Sequence, residues 1–350
     1  PTAFVVDRNQ TEGTSCFSNT NWQRRANGTG PFKLAEWDLG QQIVLEANSR
    51  YHLGAPLLAR VEYNLAGGSA VTMYENDEID VTGVGLNDIE RVRDPNEPLN
   101  AEYQTGPRLD VWYIGFNVEK PPFDDVKVRQ AFAHAIDKDK LIGTVLKDAV
   151  VEANGILPPG MPGYDENLQG LEFDAELAKQ LLSESEYGDD LPAVEIASSG
   201  RGASVGPVSE ALLGMWKENL GVEVAIRQTE SATFFQDLRD GEFQMFEVGW
   251  VADYVDPENF LKVKLYGDSK DNDSKYRNPE VDSLLEQADT EQDPATRLAL
   301  YQQAEQIIVN DVPWIPLFHD EYSVLIKPYV KDYVLPPFVI PRMRYVHIEK

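Results

Sequence analysis

The apolar run Phe243-Gln-Met-Phe-Glu-Val-Gly-Trp-Val-Ala252 ends in Asp253, so a strand closing on Gly249-Trp250 delivers a carboxylate onto a turn. Tyr254 stands beside it, and Asp256-Pro257-Glu258 opens a helix. One negative charge between two aromatic walls on a rigid support is suited to holding a cationic group. The competing reading gives Asp253 and Asp256 only a turn and a helix cap.

A second cluster lies on the turn Gly200-Arg201-Gly202-Ala203-Ser204-Val205-Gly206. Gly202-Ala-Ser204-Val-Gly206 has the GxSxG form of a nucleophile elbow between a strand and a helix, and Asp253 and His319 follow in hydrolase order. A serine hydrolase using Ser204 is therefore the enzymatic alternative, although no HGGG-type oxyanion segment precedes it. The glycines Gly200, Gly202 and Gly206 depart from GxGxxG, and Glu230 comes too late for a ribose-binding acid, which argues against a dinucleotide site. Arg201 has two uses open to it. It is either a guanidinium that grips a carboxylate bidentately, or a solvated loop residue.

The elements that must position these residues follow from periodicity. Residues 31–47 alternate about Asp38-Leu39-Gly40, as a hairpin does. Residues 110–117 form a strand ended by Lys120-Pro121-Pro122, and a helix follows from Val126 behind Asp124 and Asp125. Asn117 ends that strand, where it bonds either a ligand or the neighbouring backbone. Residues 194–226 read as strand, helix and strand, with Gly221 as the helix stop. Such strands lie parallel, which puts the 198–206 turn at the carboxyl edge of a sheet, where α/β proteins bind ligands. Helices are expected near 232–238, 279–288 and 294–310, and strands near 322–326 and 344–348. Residues 70–75 are left open between helix and strand.

Three landmarks occur in order: Gly28-Thr-Gly-Pro-Phe-Lys-Leu34 with Gly40-Gln-Gln-Ile-Val-Leu-Glu-Ala-Asn48, then Tyr113-Ile-Gly-Phe-Asn117 through Pro122-Phe-Asp-Asp-Val-Lys-Val-Arg-Gln-Ala131, then Gly249-Trp-Val-Ala-Asp253. Together they resemble the extracellular solute-binding proteins of family 5, the peptide and nickel class that feeds ABC importers. The resemblance implies a two-lobed α/β periplasmic-binding-protein-like fold with mixed sheets and a hinge of two connecting strands. Residues 1–112 and 327–350 would belong to an incomplete first lobe and 113–326 to the second, with a further N-terminal portion in the family. It implies a binding protein, not an enzyme, that takes a small peptide outside the cytoplasm and passes it to a membrane permease. Asp253 would meet the ligand's ammonium and Arg201 its carboxylate, with Trp250, Tyr254 and Asn117 completing the site. Ser231 stands where dipeptide-type members carry an aromatic, which leaves oligosaccharides, nickel chelates and other family ligands open. A sensory domain borrowing the same fold is a further alternative.

Bulk composition agrees with that class. The chain has 350 residues, long enough for two lobes, and its 31 basic against 59 acidic side chains give a net charge of -28. Nucleic acid is excluded, since phosphate neutralisation needs clustered Lys and Arg. One cysteine, Cys16, permits no internal disulfide, and four scattered histidines without HExxH or CxxC spacing support no metal site or cofactor. No run approaches the roughly 20 apolar residues of a membrane span.

Overall fold

The GTGPF stretch begins β1 (Phe32–Asp38), which pairs antiparallel with β2 (Gln42–Ala47), and β3 (Arg60–Asn64) completes a three-stranded meander. The computed structural model describes residues 28–188, 190–200, 205–338 and 341–350. The chain is mixed α/β and divides into two compact units, Pro1–Gly106 with Tyr322–Lys350, and Pro107–Glu321.

In the first unit, residues 70–75 resolve as helix α1 (Ala70–Glu75), because the Ser69 side chain accepts the Thr72 N–H and caps it. Strand β4 (Val81–Gly83) follows, then α2 (Ile89–Arg93) and β5 (Tyr103–Pro107). Val71, Tyr74, Val92, Leu99 and Leu325 form its core.

The second unit carries the site. Its sheet is built on β6 (Asp110–Phe116), β7 (Val150–Glu152), β8 (Val194–Ser199), β9 (Val224–Thr229), β10 (Met245–Val251) and β11 (Trp314–Ile326), whose end from Tyr322 belongs to the first unit. The order is β11-β6-β10-β8-β9, with β7 also on β11. Strands β8, β9 and β10 run parallel, and β6 runs against β10. The parallel pair predicted from residues 194–226 is observed, joined by α5 (Pro207–Leu220) and stopped by Gly221 at φ +71°. Two short strands, β12 (Val330–Lys331) and β13 (His347–Ile348), end the chain.

Helix α3 (Val126–His134) starts where Asp125 accepts the Lys127 N–H, and α4 (Ala175–Ser183) starts on Asp174. A row of buried rings locks α3 and α5 to the sheet: Phe116 to Phe123 at 4.4 Å, Phe123 to Phe132 at 5.2 Å, Phe132 to Trp216 at 5.5 Å. Helices α6 (Ser231–Asp240), α7 (Glu258–Leu265), α8 (Pro279–Thr290) and α9 (Pro294–Asp311) complete the unit. The acid-rich run 268–275 is a loop and partly interior: Asn272, Asp273 and Ser274 are buried, and Asp273 pairs with Lys264 at 2.6 Å.

Candidate functional site

The parallel strands β8, β9 and β10 point their carboxyl ends, Ser199, Thr229 and Val251, to one side, with β10 running on past β8, and antiparallel β6 begins there, Asp110 opposite Val251. This is the carboxyl edge of the second unit's sheet. Asp253 lies just past it, exposed, its backbone N–H donated to the Asn259 side chain at 2.9 Å. Its carboxylate has no hydrogen-bond or ion-pair partner among the described residues. Asp256 differs: it accepts the Glu258 N–H at 3.0 Å and meets both guanidinium nitrogens of Arg297 at 2.8 and 2.9 Å. The cap and turn explanation therefore holds for Asp256, and Asp253 is left with a free charge.

Trp250 donates its indole N–H to the Asn259 carbonyl at 3.0 Å, and the Lys264 ammonium sits 4.7 Å from its ring. It braces the turn that presents Asp253, while part of its surface stays open. Tyr254 is 41% exposed and donates its hydroxyl to the Glu258 carboxylate; desolvation, with that bond second, pushes its pKa up to about 12 and keeps it a neutral wall. The structure thus brings Trp250, Asp253 and Tyr254 together.

Asn117 is not with them. Beside Gln244, it lies at the other end of β6 and β10; the strand from Gln244 to Val251 spans roughly 23 Å at about 3.3 Å per residue. It is buried, its amide N–H donates to the Gly241 carbonyl at 3.1 Å, and its oxygen accepts the Glu119 N–H at 3.1 Å. Both arms are spent on the chain's own backbone. Arg201 and Ser204 lie outside the described residues, as does Cys16.

His319 is buried, with Nδ1 2.7 Å from the Asp110 carbonyl, and burial lowers its pKa to about 4, so it is neutral. It makes no bond to Asp253. The Asp–His link that a hydrolase reading requires is not made.

Sequence reading missed three features of this edge. The first is a gap in the sheet: β8 pairs β10 only from Met245 to Glu247, so Val248 to Val251 have no neighbouring strand on that side among the described residues. The second is Trp112, 38% exposed, whose ring lies over Gly249 where an added Cβ would stand 3.0 Å away, and whose N–H donates to Asp320 at 3.1 Å. The third is a charged knot: Arg108 reaches Asp110 and Asp320 at 3.2 and 3.0 Å. Asp110 is buried and accepts the Asp320 N–H at 2.8 Å, and desolvation pushes its pKa up to about 6. A charged residue inside an apolar strand, as in Leu109-Asp-Val or Met245-Phe-Glu-Val, is the one sequence signal such features leave.

Comparison with known proteins gives a consistent picture. The family model for bacterial extracellular solute-binding proteins, family 5 Middle, matches residues 14–272. "Heme-binding protein A" of Haemophilus influenzae is 33% identical over 328 residues, covering 90% of this chain and 58% of that protein. "Oligopeptide-binding protein OppA" of Bacillus subtilis is 27% identical over 315 residues, covering 86% of this chain and 58% of that one. Among solved structures, the Escherichia coli murein tripeptide binding protein MppA superposes with a TM-score of 0.82 at 27% identity, over 99% of this chain and 68% of that one. This chain therefore spans just under three-fifths of the length of the two sequence relatives. It belongs to family 5 of the bacterial extracellular solute-binding proteins.

Proposed function

We propose that this family-5 member is the substrate-binding component of an ABC importer, taking up a short peptide or a similar cationic solute outside the cytoplasm for delivery to a membrane permease. The observation that carries this reading is that, among the described residues, the Asp253 carboxylate has no partner and the β8-side edge of Val248–Val251 leading to it has no strand. An extended peptide can join such an edge as an added strand through its own amides, which gives affinity without demanding particular side chains. Its α-ammonium would then meet Asp253, a charge-assisted contact strengthened as water leaves. Trp250 and Tyr254 would flank that ammonium, and Arg201 would take the far carboxylate. Relatives named for oligopeptides and for a murein tripeptide support this ligand class.

The protein performs no chemistry in this account. The neutral, buried His319 and the free Asp253 serve binding and packing, not proton transfer. The alternative hydrolase is separated cheaply, since a fluorophosphonate label lost in Ser204→Ala would favour it.

Native mass spectrometry tests the proposal. Peptide masses of several lengths should appear on denaturing the purified protein, and be depleted from Asp253→Asn. A protein that carries no small molecule and binds no peptide from a di- to pentapeptide mixture would contradict it.

A further inference from the structure

Glu247 is an acid within the apolar strand β10, two residues before Gly249 and on the same face. Cross-strand partners on that face are Ile114 for Glu247 and Trp112 for Gly249. One carboxylate oxygen of Glu247 accepts the Ser209 hydroxyl at 2.5 Å, and Ser209 is itself buried on α5. No cation pairs with Glu247 among the described residues, and burial pushes its carboxyl pKa up. An acid in that position costs stability until a positive charge reaches it.

The missing side chain of Gly249 matters here. The Trp112 ring occupies that space, 3.0 to 3.2 Å from where a Cβ would be, and is held there by Asp320. It therefore covers β10 at Gly249, on the face that carries Glu247. A solute strand added at the unpaired edge, about 4.8 Å from β10, places every second side chain on this face. An arm from such a position runs along the ring toward Glu247.

We infer that Glu247, Ser209 and Trp112 form a subsite for a basic side chain of the bound solute, a primary ammonium or guanidinium on an alkyl arm. The inference rests on the peptide reading of the same edge. The alkyl stem packs on the indole, the cation gains attraction from the ring face, and the carboxylate supplies the counter-charge. The Ser209 hydroxyl holds one oxygen and leaves the other to accept from the ligand.

Calorimetry on the whole polypeptide with a tetra-alanine series tests this, replacing one residue at a time by Lys, norleucine or Glu. Norleucine keeps the arm and removes the charge. At one position Lys should bind at least about tenfold more tightly than norleucine, the scale of a desolvated ion pair, and Glu more weakly than either. Glu247→Gln should erase the Lys advantage while leaving the norleucine peptide's Kd unchanged, and should raise the Tm of the free protein. Trp112→Leu should weaken Lys and norleucine peptides alike at that position. Equal affinity for Lys and norleucine at every position, or a Lys preference that survives Glu247→Gln, would overturn the subsite and leave the peptide reading standing. Failure of every tetrapeptide to bind would instead remove the peptide reading itself, and the subsite with it.

Discussion

The two ends of β10 are finished differently. At the amino end, Asn117 spends both arms on Gly241 and Glu119, its N–H goes to the Gln244 carbonyl, and Lys120 caps the Glu242 carbonyl at 2.8 Å. At the carboxyl end, among the described residues, Val248 to Val251 lack a strand on the β8 side and Asp253 and Glu247 lack cations, and Trp112 and Tyr254 are exposed. Polar groups satisfied from within stabilise a fold. Those left open cost stability unless a partner completes them, and the unfinished end is the one to which the proposed function assigns the ligand.

Matched glycine substitutions probe the contrast most strongly. An added Cβ at Gly115 would meet the Phe246 ring at 2.2 Å in the buried core, whereas at Gly249 it would meet Trp112 at 3.0 Å near solvent. Gly115→Ala should cost about 3 kcal/mol, as overpacking does, read by urea denaturation. Gly249→Ala should cost less than about 1 kcal/mol because an exposed ring can swing away, yet it should weaken peptide binding. Equal costs at both ends would break the comparison.

Asn117→Ala comes next. Two part-buried backbone groups lose their partners at a buried position, so stability should fall by about 1 kcal/mol while the folded fraction keeps its ligand affinity. A lost affinity without lost stability would place Asn117 in the binding site after all.

The smallest effect is a pH dependence at the open end. Asp110 holds its proton up to about pH 6 in the folded chain, against an ordinary carboxyl value of 3.8. The folded state therefore binds the proton more tightly, an advantage fully present below about pH 4 and lost as pH rises through about 6. Asp110→Asn keeps the Asp320 N–H bond and should flatten that decline. His319, lowered to about 4, acts in the opposite sense and is unchanged in both proteins, so the difference between their stability curves isolates Asp110. Parallel curves would deny Asp110 its raised pKa.

Local signals carried most of the secondary structure. Asp125, Asp174 and Gly221 mark helix ends by their own chemistry, and alternation marks β1 and β2, so these elements were readable without contacts. Strand β11 was read only from Tyr322, because Pro313 and Pro316 mask its start, and pairing with β6 makes it a strand from Trp314. Asp253 stood out by its place after an apolar run. Glu247 and Trp112 did not, since their meaning depends on register: only the pairing of Gly249 with Trp112 and the early end of β8 show that they face an open edge. For Asn117 the sequence left ligand and backbone both open, because its partners Gly241 and Gln244 are far away in sequence.

Calorimetric titration of one tightly bound short peptide into the wild-type protein and into Asp253→Asn tests the central claim most directly. Removing the charge while keeping the shape should weaken binding about 30- to 1,000-fold, the loss of a desolvated ammonium's partner, with Tm unchanged. N-acetylation of the peptide should cost the wild type as much and the variant little. An unchanged Kd in Asp253→Asn would contradict the account, because the open end of β10 would then hold its ligand's ammonium without the Asp253 carboxylate.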